Sequence, residues 1–165
     1  MSYNIILNHQ EIEHKIKRIA YQIYETFSKE DEIILAGISN NGFTLTEKIS
    51  IILNAISDFK VTLCEVKIDK LNPYQEISTS IPSDSYRNKS IVLVDDVLNS
   101  GTTLIYGVKH FLNVPIKKFK TVVLVDRNHK KFPVKADFKG ISLSTSSKEH
   151  VHVVFEENND YVYLI

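Results

Sequence analysis

Three apolar runs constrain the fold of this chain more than anything else in it: "EIILAGI" at 32–38, "SIVLVDDV" at 90–97 and "FKTVVLVD" at 119–126. Their aliphatic stretches do not alternate with polar residues. A strand of that kind is buried on both faces, which happens in parallel sheets covered by helices. The segments between them return to helical spacing. In "NHQEIEHKIKRIAYQIYETF" the residues Ile12, Ile16, Ile19, Ala20, Ile23 and Phe27 fall on one stripe. Asn8 with Glu11 three residues on is an asparagine form of the capping box, so a helix should begin near His9. "FTLTEKISIILNAI" and "TTLIYGVKHFL" read as two more helices. "KVTLCEVKI" adds a strand, and the tail "EHVHVVFEENNDYVYLI" adds two short ones. Strands alternating with helices give β-α-β units. The expectation is an α/β domain over residues 1–165, with a parallel central sheet flanked by helices.

Composition narrows the function. Lys+Arg and Asp+Glu number 20 each, so the overall balance argues against a dedicated non-specific nucleic-acid binder. Residues 114–139 nonetheless carry eight Lys/Arg against two Asp. Cys64 is the single cysteine, which excludes an internal disulfide and fits a reducing compartment. Its place inside a strand pattern reads as a small core residue. The N-terminus has no apolar leader, and no run approaches the ~20 apolar residues of a membrane span. A soluble, cytoplasmic protein without a membrane partner is expected. The polar, proline-punctuated stretch 69–89 is too long for a simple connection, and such loops are usually functional or mobile.

Ligands of parallel α/β sheets bind where strands end and loops lead into helices. Three polar loops leave strands at that edge: "SNNG", "DDVLNSGTT" and "DRNHKK". The second carries the chemistry. Gly101 permits a tight or left-handed turn, and the helix start behind it offers free N–H groups and a positive dipole end. Ser100, Thr102 and Thr103 add hydroxyls, and together these hold one phosphate. Asp95 and Asp96 cannot serve the same phosphate. They suit sugar hydroxyls, or a Mg²⁺ ion that a ligand carries. Carboxylate pair plus cradle spells a ribose 5-phosphate, with both carboxylates expected near solvent. Neither the Walker pattern nor the Rossmann glycine fingerprint is present. His150 and His152 alternate on a strand but lack a third ligand at the spacing a zinc site needs.

"IVLVDDVLNSGTTL" resembles the phosphoribosyl-pyrophosphate motif of type I phosphoribosyltransferases. "RIAYQIYE", "VVLVDRNHKKFPVKADFKG" and "STSSKEHVHVVFEE" extend the likeness to the pyrimidine-operon attenuation regulators that also act as uracil phosphoribosyltransferases. The resemblance implies that Asp95 and Asp96 hold the ribose and face Mg²⁺, mainly through ligand or water, as the catalytic pair. It implies that Asn99, Ser100, Gly101, Thr102 and Thr103 cradle the 5-phosphate, and that Ser39, Asn40, Asn41 and Gly42 receive pyrophosphate. A lid would lie within 69–87. "ISLSTS" at 141–146 would belong to a small C-terminal hood that recognises the base, with Arg127, Leu143 and Thr145 as substrate-binding residues. Partners implied are phosphoribosyl pyrophosphate, a nucleobase or nucleoside monophosphate in pyrimidine salvage, and a second copy in a homodimer.

Several positions depart from that pattern. The attenuator family places a lysine and an arginine around its pyrophosphate turn, where this chain has Ser39 and Asn41. Purine-using relatives have an aspartate where Asn99 stands, which argues against purines. Only three arginines occur, Arg18, Arg87 and Arg127, so bidentate phosphate clamps are scarce. Arg18 matches the attenuators' RNA-contacting helix, whereas Tyr21 replaces an imidazole there. The alternative to a transferase is a weakly catalytic or non-catalytic regulator that senses a nucleotide or phosphoribosyl pyrophosphate and acts on RNA.

Overall fold

A computed structural model describes residues 3–165 of the chain. It opens with a short strand β1 (Asn4–Leu7) and helix α1 (His9–Phe27). The cap of α1 is reciprocal: Glu11 N–H donates to Asn8 Oδ1 at 2.9 Å, and Asn8 N–H donates to Glu11 Oε2 at 2.8 Å. All six residues of the apolar stripe are buried. Then follow β2 (Glu32–Ile38), α2 (Asn41–Ile56), β3 (Lys60–Lys67) and a two-residue strand β4 (Ser78–Thr79). A single 3₁₀ turn (Ser83–Ser85) leads to β5 (Ser90–Leu98), α3 (Thr102–Phe111) and β6 (Lys118–Asp126). The chain closes with β7 (Phe138–Ser142), β8 (Val151–Val154) and β9 (Tyr161–Leu164).

The central sheet has six strands in the order β4-β3-β2-β5-β6-β7. The pairs β2–β3, β2–β5, β5–β6 and β6–β7 are parallel, and only β4 runs antiparallel. The sheet is therefore mixed but mostly parallel. Alternate residues feed opposite faces. Ile33, Leu35, Val92, Val94, Val122 and Leu124 pack with α1 and α2. Ile34, Ala36, Ile91, Leu93 and Val123 pack with Leu104 and Phe111 of α3. Each fully buried aliphatic side chain contributes about 1.5–3 kcal/mol, so two covered faces explain why these runs have no polar positions. Cys64 lies on the α3 face, fully buried, and burial pushes its thiol up. No helix among the described residues is long and apolar enough to cross a membrane.

The hood differs in composition from the sequence-based expectation. It is a three-stranded sheet, β1-β9-β8, so the N-terminal strand joins the two C-terminal ones. The segment "ISLSTS" lies elsewhere. Its first two residues end β7, the outer strand of the central sheet, and Leu143 packs against the main core. The reason is hydrogen bonding. Val125 and Asp126 pair with Ile141 and Ser142, and Leu143 N–H donates to the Asp126 carbonyl at 2.8 Å.

Candidate functional site

The loops after β2, β5 and β6 emerge at the same edge, because these strands are adjacent and parallel. A cleft of about 520 Å³ opens there. Its lining includes Asp95, Asp96, Asn99, Ser100, Gly101, Thr102, Thr103 and Lys70. Gly101 has φ +85° at the N-cap of α3, the left-handed conformation that glycine adopts without penalty. Its turn folds the hydroxyls inward: Ser100 Oγ and Thr102 Oγ1 are 2.8 Å apart, and Thr102 N–H donates to Ser100 Oγ at 3.3 Å. The cradle residues therefore share one wall with the carboxylates.

The carboxylates are not both near solvent. β5 runs on through Leu98, so Asp95 sits inside a paired strand opposite Val123 and is only 3% exposed. Asp96 is partly buried. The continuing apolar pair Val97 and Leu98 was the signal that the strand does not stop at the acids. Three contacts enclose the pair. Lys70 Nζ lies 3.1 Å from Asp95 Oδ1 and 3.7 Å from Asp96 Oδ1. Asn41 Nδ2 donates to Asp96 Oδ2 at 3.0 Å and to the Val153 carbonyl of the hood at 2.9 Å. Gly42 is pressed against β5, since a Cβ there would come within 2.9 Å of the Val94 carbonyl oxygen and 3.1 Å of the Asp95 Cα.

Electrostatics follow from that enclosure. Burial, and then the Asp96 charge, push the Asp95 carboxyl up to about 7, against the pull of Lys70. Burial draws the Lys70 ammonium down, but the two carboxylates more than reverse this and hold it above the ordinary lysine value. At neutral pH the Asp95 carboxyl thus carries a proton part of the time. It can donate to or accept from a hydroxyl.

The other candidate positions are already engaged. Ser39 Oγ donates to Glu65 Oε1 at 2.7 Å. Asn40 precedes α2 and caps it with no side-chain bond, while Asn41 and Gly42 form its first turn. The Ser39–Asn40 peptide is cis. Arg127 is buried, and its guanidinium donates to Asn99 Oδ1 at 2.9 Å and twice to Thr145 Oγ1, at 3.0 and 2.9 Å. Asn99 and Thr145 are thereby tied to Arg127, and Leu143 to the core. These contacts link the β5 and β6 loops to the segment after β7, a tie that no local sequence pattern announces. Lys70 was missed as a site residue, being read only as part of the lid. Its one sequence signal was a lysine just beyond β3, which is separated from the acidic strand β5 by β2 alone.

Comparison with known proteins agrees with this fold. Residues 2–160 match the phosphoribosyl transferase domain. The chain is 33% identical over 149 residues to the bifunctional protein PyrR of Streptococcus mutans, spanning 88% of this chain and 84% of that protein. It is 31% identical to the bifunctional protein PyrR of Clostridium novyi, over 93% of this chain and 91% of the relative. Among solved structures, the hypoxanthine phosphoribosyltransferase of Trypanosoma cruzi superposes with a TM-score of 0.79 at 18% identity, covering 96% of this chain and 95% of that one. A hypoxanthine-guanine phosphoribosyltransferase from Bacillus anthracis gives 0.72 at 19% identity, with 87% and 85% covered. At that identity the structural likeness speaks for the fold alone.

Proposed function

The chain belongs to the phosphoribosyl transferase domain family, and from that premise we propose that it transfers a phosphoribosyl group from phosphoribosyl pyrophosphate to a nucleobase, uracil before any other. One observation carries the reading: the acidic pair and the phosphate cradle line the same cleft at the carboxyl end of β5. In this arrangement the backbone of 100–103 and the helix dipole bind the 5-phosphate, while Asp95 and Asp96 orient the ribose hydroxyls. The base would approach from the β6 side, where Arg127 holds Thr145 and Asn99 in place. Catalysis by such a site rests on positioning and water exclusion rather than on a protein nucleophile.

Mg²⁺ fits as an ion that arrives with the ligand. Asp95 and Asp96 are only two carboxylates, and no cluster of three or more His, Cys, Asp or Glu suited to a metal occurs among the described residues. Most of its ligands would come from the donor and water, and its chemistry would be to neutralise the leaving pyrophosphate. A cytoplasmic homodimer in pyrimidine salvage belongs to the same proposal.

A second reading is favoured by a specific contact set. Ser39 and Asn41, the positions facing the pyrophosphate, carry no charge and are bonded to Glu65, Asp96 and Val153. Each missing charge-assisted bond weakens the grip on pyrophosphate by about 1.5–3 kcal/mol. The chain then serves as a weakly catalytic sensor of nucleotide or phosphoribosyl pyrophosphate. Pyrophosphate release, measured with Mg²⁺, phosphoribosyl pyrophosphate and a panel of bases, separates the readings. The expected result is slow release that is fastest with uracil, and faster again in the Ser39→Lys, Asn41→Arg double variant. Brisk wild-type turnover would remove the sensor reading, and a preference for hypoxanthine or guanine would remove uracil.

RNA is the remaining partner to test. Lys130 and Lys131 sit in the loop after β6, but Arg18 is committed to the Lys139 and Gly140 carbonyls at 3.1 and 2.7 Å. RNA affinity is therefore expected to be weak, indifferent to sequence, and lost as salt rises. Filter binding to a hairpin across a salt series checks this. Tight hairpin-specific binding that the Lys130→Glu, Lys131→Glu variant loses would make RNA a true partner.

A further inference from the structure

Lys70 is the only basic side chain among the described residues that line the cleft. It stands three residues beyond β3, on the segment that returns through β4. The Asp69 carboxylate accepts hydrogen bonds from the backbone N–H groups of Leu71 (2.9 Å) and Asn72 (3.3 Å), which fixes the turn from which Lys70 projects. The ammonium bonds both oxygens of Asp95, at 3.1 and 3.4 Å, and approaches Asp96. The carboxylates proposed to hold ribose are thus engaged by Lys70. The Lys70 side chain is still 44% exposed, so it is not packed into the core.

Sheet order decides where it would swing. Because β3 lies beside β2 and away from β6, Lys70 enters on the side of the Ser39–Asn41 loop rather than on the base side. Ribose hydroxyls that take the carboxylate oxygens compete there with the ammonium. A nucleoside monophosphate offers that cation nothing in return, since its one phosphate lies against residues 100–103. A ligand with a diphosphate at ribose C1 places a new anion beside it, where Ser39 and Asn41 supply no charge.

We propose that Lys70 is the specificity-determining residue of the cleft: its ammonium pairs with Asp95 and Asp96 and passes to the C1 diphosphate when the donor binds. The ion pair thereby selects phosphoribosyl pyrophosphate over a nucleoside monophosphate. This inference rests on the phosphoribosyl reading of the cleft.

The test is calorimetric titration of wild type, Lys70→Met and Lys70→Arg with phosphoribosyl pyrophosphate and with uridine 5′-monophosphate, each with Mg²⁺. Lys70→Met is expected to weaken phosphoribosyl pyrophosphate binding roughly tenfold to a hundredfold, the size of one charge-assisted contact. Its affinity for uridine monophosphate should stay level or rise, and Lys70→Arg should restore the wild-type order. Lys70→Gln gives the same pattern without charge should the methionine variant fold poorly. Equal weakening of both ligands, or unchanged donor binding, overturns the proposal while leaving the phosphoribosyl reading in place. A wild-type protein that binds neither ligand overturns both.

Discussion

Replacing Asp95 and Asp96 together by asparagine is expected to reduce affinity for phosphoribosyl pyrophosphate by roughly a hundredfold to ten-thousandfold, with the fold intact. Asp95 and Asp96 are the only carboxylates among the described residues that line the cleft, and each charge-assisted bond to a hydroxyl contributes about 1.5–3 kcal/mol. Asparagine keeps the shape and one acceptor oxygen. The Asp96 N–H to Asp95 Oδ1 bond of 2.9 Å and the Val97 N–H to Asp96 Oδ1 bond of 2.9 Å can therefore persist. Calorimetry gives the affinity, and the far-ultraviolet circular dichroism spectrum verifies the fold. Wild-type affinity in the double variant would mean that ribose does not sit on these residues.

The same residue governs stability in the opposite sense. Asp95 holds its proton up to about pH 7 in the folded protein, because burial and the Asp96 charge disfavour its ionised form. In the unfolded chain it ionises near the usual value of about 3.9. The folded state therefore binds the extra proton between these limits. Its contribution is fully present below about pH 4 and is lost as pH rises through about 7. Asp95→Asn removes this dependence, so the variant should gain roughly 2–4 kcal/mol relative to wild type as pH rises from about 4 to about 8. Below about pH 4 the difference between the two proteins should stop changing. Taking the difference between the two proteins cancels Glu30, Glu32 and Glu149, whose lowered values act the other way. Urea unfolding at a series of pH values measures it. A difference between the two proteins that does not change with pH would show that Lys70 cancels the effect of burial on Asp95. A site that lowers stability to hold a poised carboxyl is an ordinary trade of stability for activity.

The strands β2, β5 and β6 were legible because each buries both faces, and α1 because its cap and stripe are local. Gly101 was legible as the residue in its loop that adopts a left-handed turn without penalty. β1 and β4 were not. "NIIL" and "ST" are too short to show a period, and they exist as strands only because β9 and β3 offer hydrogen bonds from distant sequence. The burial of Asp95 and its grip on Lys70 escaped notice for a similar reason. The two residues lie 25 positions apart, and their contact follows from sheet order rather than from spacing. Arg127 is a third case, since its partners Asn99 and Thr145 come from loops after different strands.

The central claim is that the β5–α3 cleft receives a ribose 5-phosphate between the acidic pair and the start of α3. The most direct measurement is the amide nuclear magnetic resonance spectrum of labelled protein titrated with phosphoribosyl pyrophosphate and Mg²⁺. Saturable shifts concentrated at the amides of Asp96 and Ser100 to Thr103, with Lys70 moving in step, are the predicted result. Shifts confined to the lysine-rich loop around Lys130 and Lys131, or no saturable shift at all, would contradict the account.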